Sequence, residues 1–457
     1  MNLIYISTEC FPFAKASGLG DLVSLLAKEI EKEGHNVRVF IPRYGCIDPA
    51  IFHIEKLPSE FKIKLNGTPS TTMIYKGILP DSLISVFLIE SQSHFSNSRE
   101  IYLQNEDENT QRNNFFCMAS LDFILKLKLE ADIIHLFNPS TAYTTRLLKD
   151  KNTEYSKLNK TPILFTIHNL VNINDELTTF TNEAINYSDI TSTVSKTYAY
   201  ELLSDMQNIG IADSLTKKED SFTGILSGID EKIYNPETDN VIAQNYSRNY
   251  FSIGKRKCKE DLLIQSGLEN NLQIPLFGIV SSLREDKGIE LLINSLSQIS
   301  HLDLQLLILG KGEQVLEQEL IKAEKKYKNI KLHIGYDHNL SKKIYAGCDF
   351  IICPSKYEPS GTSVMNAMRY GAVPIACSTG AIKDIVVDIE FGEEANGIIF
   401  KHYQKEDLAE AINKGLKIYK NKEKWPKLVK GAMSFDFGKL NTGKKYIKFY
   451  EMARAPK

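Results

Sequence analysis

Short, nearly continuous apolar runs alternate with longer amphipathic stretches along most of the chain. A strand covered on both faces needs no polar alternation, so these runs predict parallel strands and the stretches between them predict covering helices. The predicted class is α/β. A first series of strands falls at 3–6, 37–41, 86–89, 132–136, 163–167 and 190–194, and a second at 276–281, 304–309, 330–334, 350–353, 373–376 and 398–400. Each series builds its own open sheet. Residues 235–255 lie between the two, rich in Asn and Tyr and without a clear period, and read as the inter-domain connection. The tail from Trp425 is Lys-rich and ends in KKYIKFYEMA, a helical pattern with Tyr446, Phe449 and Tyr450 on or near one face. The expected domains are therefore 1–240 and 241–425, with a docking helix in 426–457. There is no internal repeat, and the lysine scatter over 322–331 reads as a solvated helix face.

At 457 residues, 42% of them hydrophobic and 25% charged, the chain can bury two large cores without staples. Lys plus Arg number 55 against 57 Asp plus Glu, a formal net charge of −2, so no overall field favours nucleic acid or an anionic membrane. Any bound anion needs a local site. The seven cysteines are scattered and never spaced as CxxC, which indicates neither a disulfide framework nor a zinc site and fits a reducing compartment. The first residues carry Glu9 and no basic run where a signal peptide needs one, and no stretch approaches the ~20 apolar residues of a membrane span. A cytoplasmic protein is expected.

Four segments carry candidate chemistry. KASGLGD, residues 15–21, follows the first strand and leads into an amphipathic helix. Gly18 and Gly20 would let backbone amides approach a phosphate or sugar, with Lys15 adding charge; a plain βα turn that needs glycine for its dihedrals explains the pair equally well. SSLREDKGIELL, from Ser281, ends the first strand of the second half and offers Lys287, with Arg284 as helper, to a diphosphate; surface charge capping a helix is the alternative. In PSKYEPSGTSVMNAMRYGAVPIACSTGAIKDIV, residues 354–386, Glu358 precedes a turn that opens a helix, so a carboxylate for sugar hydroxyls stands beside free amides for phosphate. FTIHNL ends another strand and delivers His168 and Asn169.

Taken in order, these segments resemble the bacterial glycogen synthases and plant starch synthases, retaining glucosyltransferases of the GT-B type. The opening ECFPFAKASGLGD stands where the family has Lys-x-Gly-Gly-Leu-Gly-Asp. Further matches are IHNL at Ile167, VSKTYAYEL at Val194, GILSGIDEKIYNPETD at Gly224, LREDKGIELL at Leu283, LGKGE at Leu309, AGCDFIICPSKYEPSG at Ala346 and MRYGAVPIACSTG at Met368. The resemblance implies two Rossmann-like domains facing across a cleft, with the C-terminal helix crossing back to the first. It implies glucose transfer from ADP-glucose to the non-reducing end of an α-1,4-glucan, with donor and acceptor as partners and no cofactor or metal. It assigns Glu358 to the glucosyl unit, Lys287 to the diphosphate, and Lys15 with the Gly18 turn to the phosphate and sugar side. Asp21 then serves the nucleoside side and His168 the glucose near its reacting carbon. Asn169, Arg284, Ser360, Gly361, Thr362, Thr379 and Gly380 complete the donor-binding set.

The chain departs from the family at defined places. Ser282 stands where an arginine contacts the diphosphate, and Ser17 where the first glycine of the turn is expected. Asn138 and Pro139 replace an acid and a tryptophan, LVNINDEL replaces the segment after His-Asn, Ser360 replaces a cysteine, and Ala381-Ile382 replaces Gly-Leu. Three readings follow: an active synthase, a GT-B enzyme with an altered donor or acceptor, or a non-catalytic relative that binds nucleotide sugar or glucan.

Overall fold

The computed structural model describes residues 1–65, 67–170, 174–204 and 210–455, with the side chains of Ser59 and Lys439 also outside the description. The chain forms two compact units: Met1–Ser227 with Leu440–Lys457, and Gly228–Lys439.

The first unit carries a nine-stranded sheet: β1 (Asn2–Ile6), β2 (Asn36–Pro42), β3 (Glu55–Leu65), β4 (Thr68–Ile78), β5 (Ser85–Glu90), β6 (Ile133–Phe137), β7 (Ile163–Ile167), β8 (Ile190–Thr193) and β9 (Phe222–Gly224). Their order is β3-β4-β5-β2-β1-β6-β7-β8-β9, parallel except where β4 pairs antiparallel with β3 and β5. All six expected strands of this half are present. The expectation omitted β9 and the β3–β4 hairpin, although Asn-Gly at 66–67 is a hairpin signal in the sequence itself. From β1 the chain steps to β2 on one side, and β6 flanks β1 on the other. The loops after β1 and β6 therefore diverge, and that divergence opens the crevice where open α/β sheets bind ligands.

The second unit carries β10 (Leu276–Val280), β11 (Gln305–Gly310), β12 (Ile330–Ile334), β13 (Phe350–Cys353), β14 (Val373–Cys377) and β15 (Ile398–Phe400). All pairs are parallel, in the order β12-β11-β10-β13-β14-β15, so the strand order reverses between β10 and β13. The six strands are those the apolar runs predict.

The divisions lie at 227/228 and 439/440 rather than at 240/241 and 425/426. The stretch read as a connection is built into the second unit. Tyr246 Oη donates to the Tyr370 carbonyl at 2.8 Å, Tyr370 Oη donates to Asp239, and a helix starts at Phe251 (Phe251–Ser266). At the other end, helix Lys424–Met433 buries Leu428, Val429, Ala432 and Met433 and belongs to the second unit as well.

The C-terminal helix Thr442–Arg454 docks on the first unit with Tyr446 and Tyr450 fully buried and Phe449 partly so. A continuous polar network seats it. Tyr450 Oη lies 2.7 Å from Tyr5 Oη and 2.9 Å from His135 Nδ1; His135 Nε2 meets Thr166 Oγ1 at 2.7 Å, which meets Ser192 Oγ at 2.8 Å. Burial holds the His135 imidazole well below its ordinary pKa, so it stays neutral, with one nitrogen donating and the other accepting.

Candidate active site

In the second unit, the loops after β10 and β13 meet at the point where the strand order reverses. Lys287 Nζ lies 2.8 Å from Glu358 Oε2, both side chains nearly enclosed. Ser355 Oγ donates to the same oxygen at 2.9 Å, and the Gly361 amide donates to Oε1 at 3.1 Å. Burial by itself would raise the Glu358 pKa, but the Lys287 charge and these three donors hold the carboxyl below its ordinary value. Burial likewise disfavours the Lys287 ammonium, and the facing carboxylate outweighs it, so its pKa is raised. Both groups are charged at neutral pH. Cys353 Sγ lies 3.9 Å from Glu358, yet burial pushes the thiol up to about 12, which removes it as a nucleophile.

The backbone makes this geometry possible through glycine. Gly288 has φ +73, and a Cβ there would fall 1.9 Å from the Pro354 carbonyl; Gly380 has φ +45, and a Cβ there would fall 2.2 Å from the Glu358 carbonyl. The loops after β10, β13 and β14 can approach only because neither position has a side chain. Further ties are Lys356 N to the Asp286 carbonyl at 2.9 Å, Ala381 N to the Glu358 carbonyl at 2.8 Å, and Thr379 Oγ1 to the Lys356 carbonyl at 3.0 Å. Gly361 precedes helix Thr362–Arg369, with Ser360 and Thr362 hydroxyls 3.1 Å apart at its opening. Arg284 is engaged by Asp286, its Nε and Nη2 donating to the two carboxylate oxygens at 2.8 and 2.9 Å. Ser282 leaves no guanidinium of its own.

In the first unit, the loop after β1 is organised by Glu9, which the sequence reading used only as a mark against a signal peptide. Its fully buried carboxylate accepts from Ala16 N at 2.7 Å, Ser17 N at 2.8 Å, Ser17 Oγ at 2.7 Å and Tyr102 Oη at 2.7 Å. Four donors on one buried carboxylate fix the loop around it. Ser17 caps helix Gly18–Lys32, its hydroxyl accepting from Leu19 N at 3.1 Å, and its φ of −143° is open to any residue. Glycine's conformational freedom is thus not required at 17. Lys15 Nζ pairs with Asp21 at 2.7 Å, bringing together two predicted residues.

His168 and Asn169 follow the end of β7, and their amides donate to Asn138 Oδ1 at 3.1 and 2.8 Å. Asn138 itself has φ +71 and ψ +161, a region that is essentially glycine's own and costs of order 1–3 kcal/mol for other residues. No local signal in the sequence announces this; only the resemblance singles the position out. Pro139 opens a buried turn, Pro139–Thr141, and the aromatic surface near it comes from Tyr102: Thr8 Oγ1 lies 3.3 Å from both Tyr102 Oη and Ser140 Oγ. Tyr102 is 41% exposed. The divergence at residues 171–173 lies outside the described residues. Among the described residues, no helix is long and apolar enough to cross a membrane, and no three His, Cys, Asp or Glu side chains are grouped to hold a metal ion.

Comparison with known proteins matches the two halves of the chain to separate families. Residues 2–217 match the starch synthase catalytic domain family, and residues 264–430 match the glycosyl transferases group 1 family. The chain is 33% identical to the glycogen synthase of Geotalea daltonii over 100% of both chains. It is 33% identical to that of Thermodesulfovibrio yellowstonii over 98% of this chain and 97% of the relative, and 30% identical to that of Thermotoga maritima over 100% and 99%. Among solved structures, the catalytic domain of starch synthase IV from Arabidopsis thaliana bound to ADP and acarbose has a TM-score of 0.90 at 28% identity, covering 99% of each chain. Sucrose-phosphate synthase from Thermosynechococcus elongatus shares the fold, with a TM-score of 0.66 at 17% identity over 98% of this chain and 99% of that one. With its motifs in family order, two parallel-sheet units and full-length similarity to glycogen synthases, the chain belongs to the glycogen synthase and starch synthase family of GT-B hexosyltransferases.

Proposed function

We propose that this chain transfers glucose from ADP-glucose to the non-reducing end of an α-1,4-glucan with retention of configuration. The observation that carries the reading is the Lys287–Glu358 pair at the strand reversal of the second unit. An ammonium has three donors, and one goes to Glu358, which leaves two for diphosphate oxygens. The carboxylate beside it can accept from glucose hydroxyls, so one pair addresses both sides of the bond that breaks. In the reaction the bond between glucose C1 and the diphosphate oxygen breaks with its electrons leaving on ADP. A bond from C1 to an acceptor hydroxyl oxygen forms, and the proton of that hydroxyl passes to the departing diphosphate oxygen or to solvent. Preorganised charge at the leaving diphosphate lowers the barrier, and removing one such contact typically costs ~10²- to 10³-fold in rate.

The remaining roles are part of the same proposal. Ser360 and Thr362 offer hydroxyls to phosphate at the start of the helix that follows Gly361, whose own amide is held by Glu358, with Thr379 and Gly380 on the adjoining turn. Arg284 serves the diphosphate only by turning its guanidinium away from Asp286, which holds two of its donors. In the first unit, Lys15 and the Gly18 turn serve the phosphate and sugar side, Asp21 the nucleoside side, and His168 and Asn169 the glucose. The solved starch synthase IV was bound to ADP and acarbose, which supports an adenine donor and a glucan acceptor here. The nucleotide sugar is a substrate, no cofactor or metal is invoked, and nucleic acid and membrane are not partners. Seven free cysteines, six of them buried, fit a reducing cytoplasm.

The test is radiolabelled glucose transfer to glycogen or maltooligosaccharide from ADP-glucose and, separately, UDP-glucose, with Glu358→Ala and Lys287→Ala as controls. Transfer from ADP-glucose that either substitution abolishes is the expected result. No transfer from either donor, with ADP-glucose still binding by calorimetry, would overturn the synthase reading and leave a binding role.

A further inference from the structure

We propose that Asn138 is a positioning residue for glucose transfer, setting the His168–Asn169 segment through its side-chain oxygen. The inference rests on the proposed placement of His168 and Asn169 at the donor. β7 ends at Ile167, so the amides of residues 168 and 169 fall beyond its last ladder residue. Both are taken by one acceptor, Asn138 Oδ1, at 3.1 and 2.8 Å. Because both partners are N–H groups, the amide orientation is chemically determined: the oxygen faces the segment and Nδ2 points away.

The surroundings hold Asn138 in its unfavourable backbone conformation. Its own N–H donates to the Thr166 carbonyl at 2.8 Å, and its carbonyl accepts from Thr141 N at 3.0 Å and Thr141 Oγ1 at 3.1 Å. β6 and β7 are neighbouring strands, so the clamp ties the end of one to the start of the loop after the other. A non-glycine residue kept where glycine fits better points to a side chain that the function requires. That requirement is an acceptor oxygen rather than a negative charge, which is how the chain carries an amide at a place where the family resemblance expects an acid.

The full-length protein, Asn138→Gly and Asn138→Asp are compared by backbone hydrogen exchange at residues 168 and 169, by thermal unfolding, and by kcat and KM for ADP-glucose. Glycine suits the backbone but removes the acceptor, whereas aspartate keeps it. The expected result for Asn138→Gly is an unchanged or raised Tm, exchange at least about tenfold faster, kcat lowered about 100-fold and KM within about threefold. Asn138→Asp should keep the protection and restore kcat to within about threefold, because orientation is what the side chain supplies. Unchanged exchange or unchanged kcat in Asn138→Gly overturns the proposal, as does an aspartate variant as impaired as the glycine one. His168→Ala separates this from its premise. If that variant keeps full kcat while Asn138→Gly loses protection without losing kcat, the placement of His168 fails and the positioning role in transfer fails with it. If His168→Ala is inactive and Asn138→Gly fully active, only the Asn138 proposal fails.

Discussion

Lys287 and Glu358, 71 residues apart in the chain, form a 2.8 Å ion pair that joins the loop after β10 to the loop after β13. Each is the other's counter-charge in a nearly dry site, so neither can be removed without stranding its partner. Glu358→Gln or Lys287→Met alone should destabilise the protein by about 3–5 kcal/mol, while the double substitution should cost less than the sum. Urea unfolding of the four proteins measures the coupling, and strict additivity would refute it.

The same pair sets a pH window. The Glu358 carboxyl is held below its ordinary value, so its contribution to stability is present above about pH 4.3, the unfolded value, and is lost as pH falls through the lower folded one. The Lys287 ammonium is held above its ordinary value, so its contribution is present below about pH 10.4 and lost as pH rises through the higher folded one. The stability difference between the native protein and the double variant should be flat from about pH 5 to 10 and fall on both sides. A difference that changes steadily across neutral pH would contradict this.

Lys255 behaves in the opposite sense. Its ammonium is fully enclosed, donates to the carbonyls of Ala346 at 3.0 Å, Cys348 at 2.9 Å and Tyr370 at 3.1 Å, and is pushed down to about 8 by burial. Between that value and the unfolded one of about 10.4, the unfolded chain binds more protons than the folded chain. Stability relative to Lys255→Met should therefore rise with pH from about 8 to 10. Chemical unfolding at three or four pH values decides it, and a difference that shrinks over that interval would count against it.

Tyr450→Phe should weaken the docking of the C-terminal helix. It leaves the Tyr5 hydroxyl and His135 Nδ1 buried without their shared partner, a loss of about 1–3 kcal/mol. Thermal unfolding reads the loss directly, and an unchanged Tm would show that the network contributes nothing net.

Ser17 stands where the family resemblance expects glycine, and it is a helix cap. Ser17→Ala removes both the Leu19 N contact and the bond to Glu9 and should cost about 0.5–2 kcal/mol. Ser17→Gly should keep glucose transfer within about threefold of the native rate, because the Ala16 and residue-17 amides still reach Glu9 and a φ of −143° suits either residue. A collapse of transfer in the glycine variant would mean that the hydroxyl itself serves the reaction.

The twelve core strands were readable because a doubly covered strand declares itself by a local apolar run such as LFGIV or FIIC. The strands of the β3–β4 hairpin were harder to read, since EKLPSEFKIKL and TPSTTMIYKGI mix polar and apolar positions at a sheet edge, and only the Asn-Gly between them marks the hairpin. The domain boundary slipped because the Asn- and Tyr-rich composition of 235–255 looks like a linker until Tyr246 and Asp239 are seen to close on Tyr370. Lys15, His168, Lys287 and Glu358 could be named in advance because each sits in the segment that follows a predicted strand, where ligands gather in open sheets, whereas Asp21, inside the helix Gly18–Lys32, was singled out only by the family resemblance.

Sequence by itself determined the α/β class, the two strand series, the family resemblance and the polar residues at the strand ends, since all of these reside in local pattern and motif order. The tertiary structure alone decided which residues are partners. It placed Lys287 against Glu358, committed Arg284 to Asp286, made Glu9 the organiser of the loop after β1, and gave Asn138 the amides of His168 and Asn169. A pairing depends on how strands are ordered in the sheet and on burial that strips away water, and neither is written in the spacing of residues along the chain.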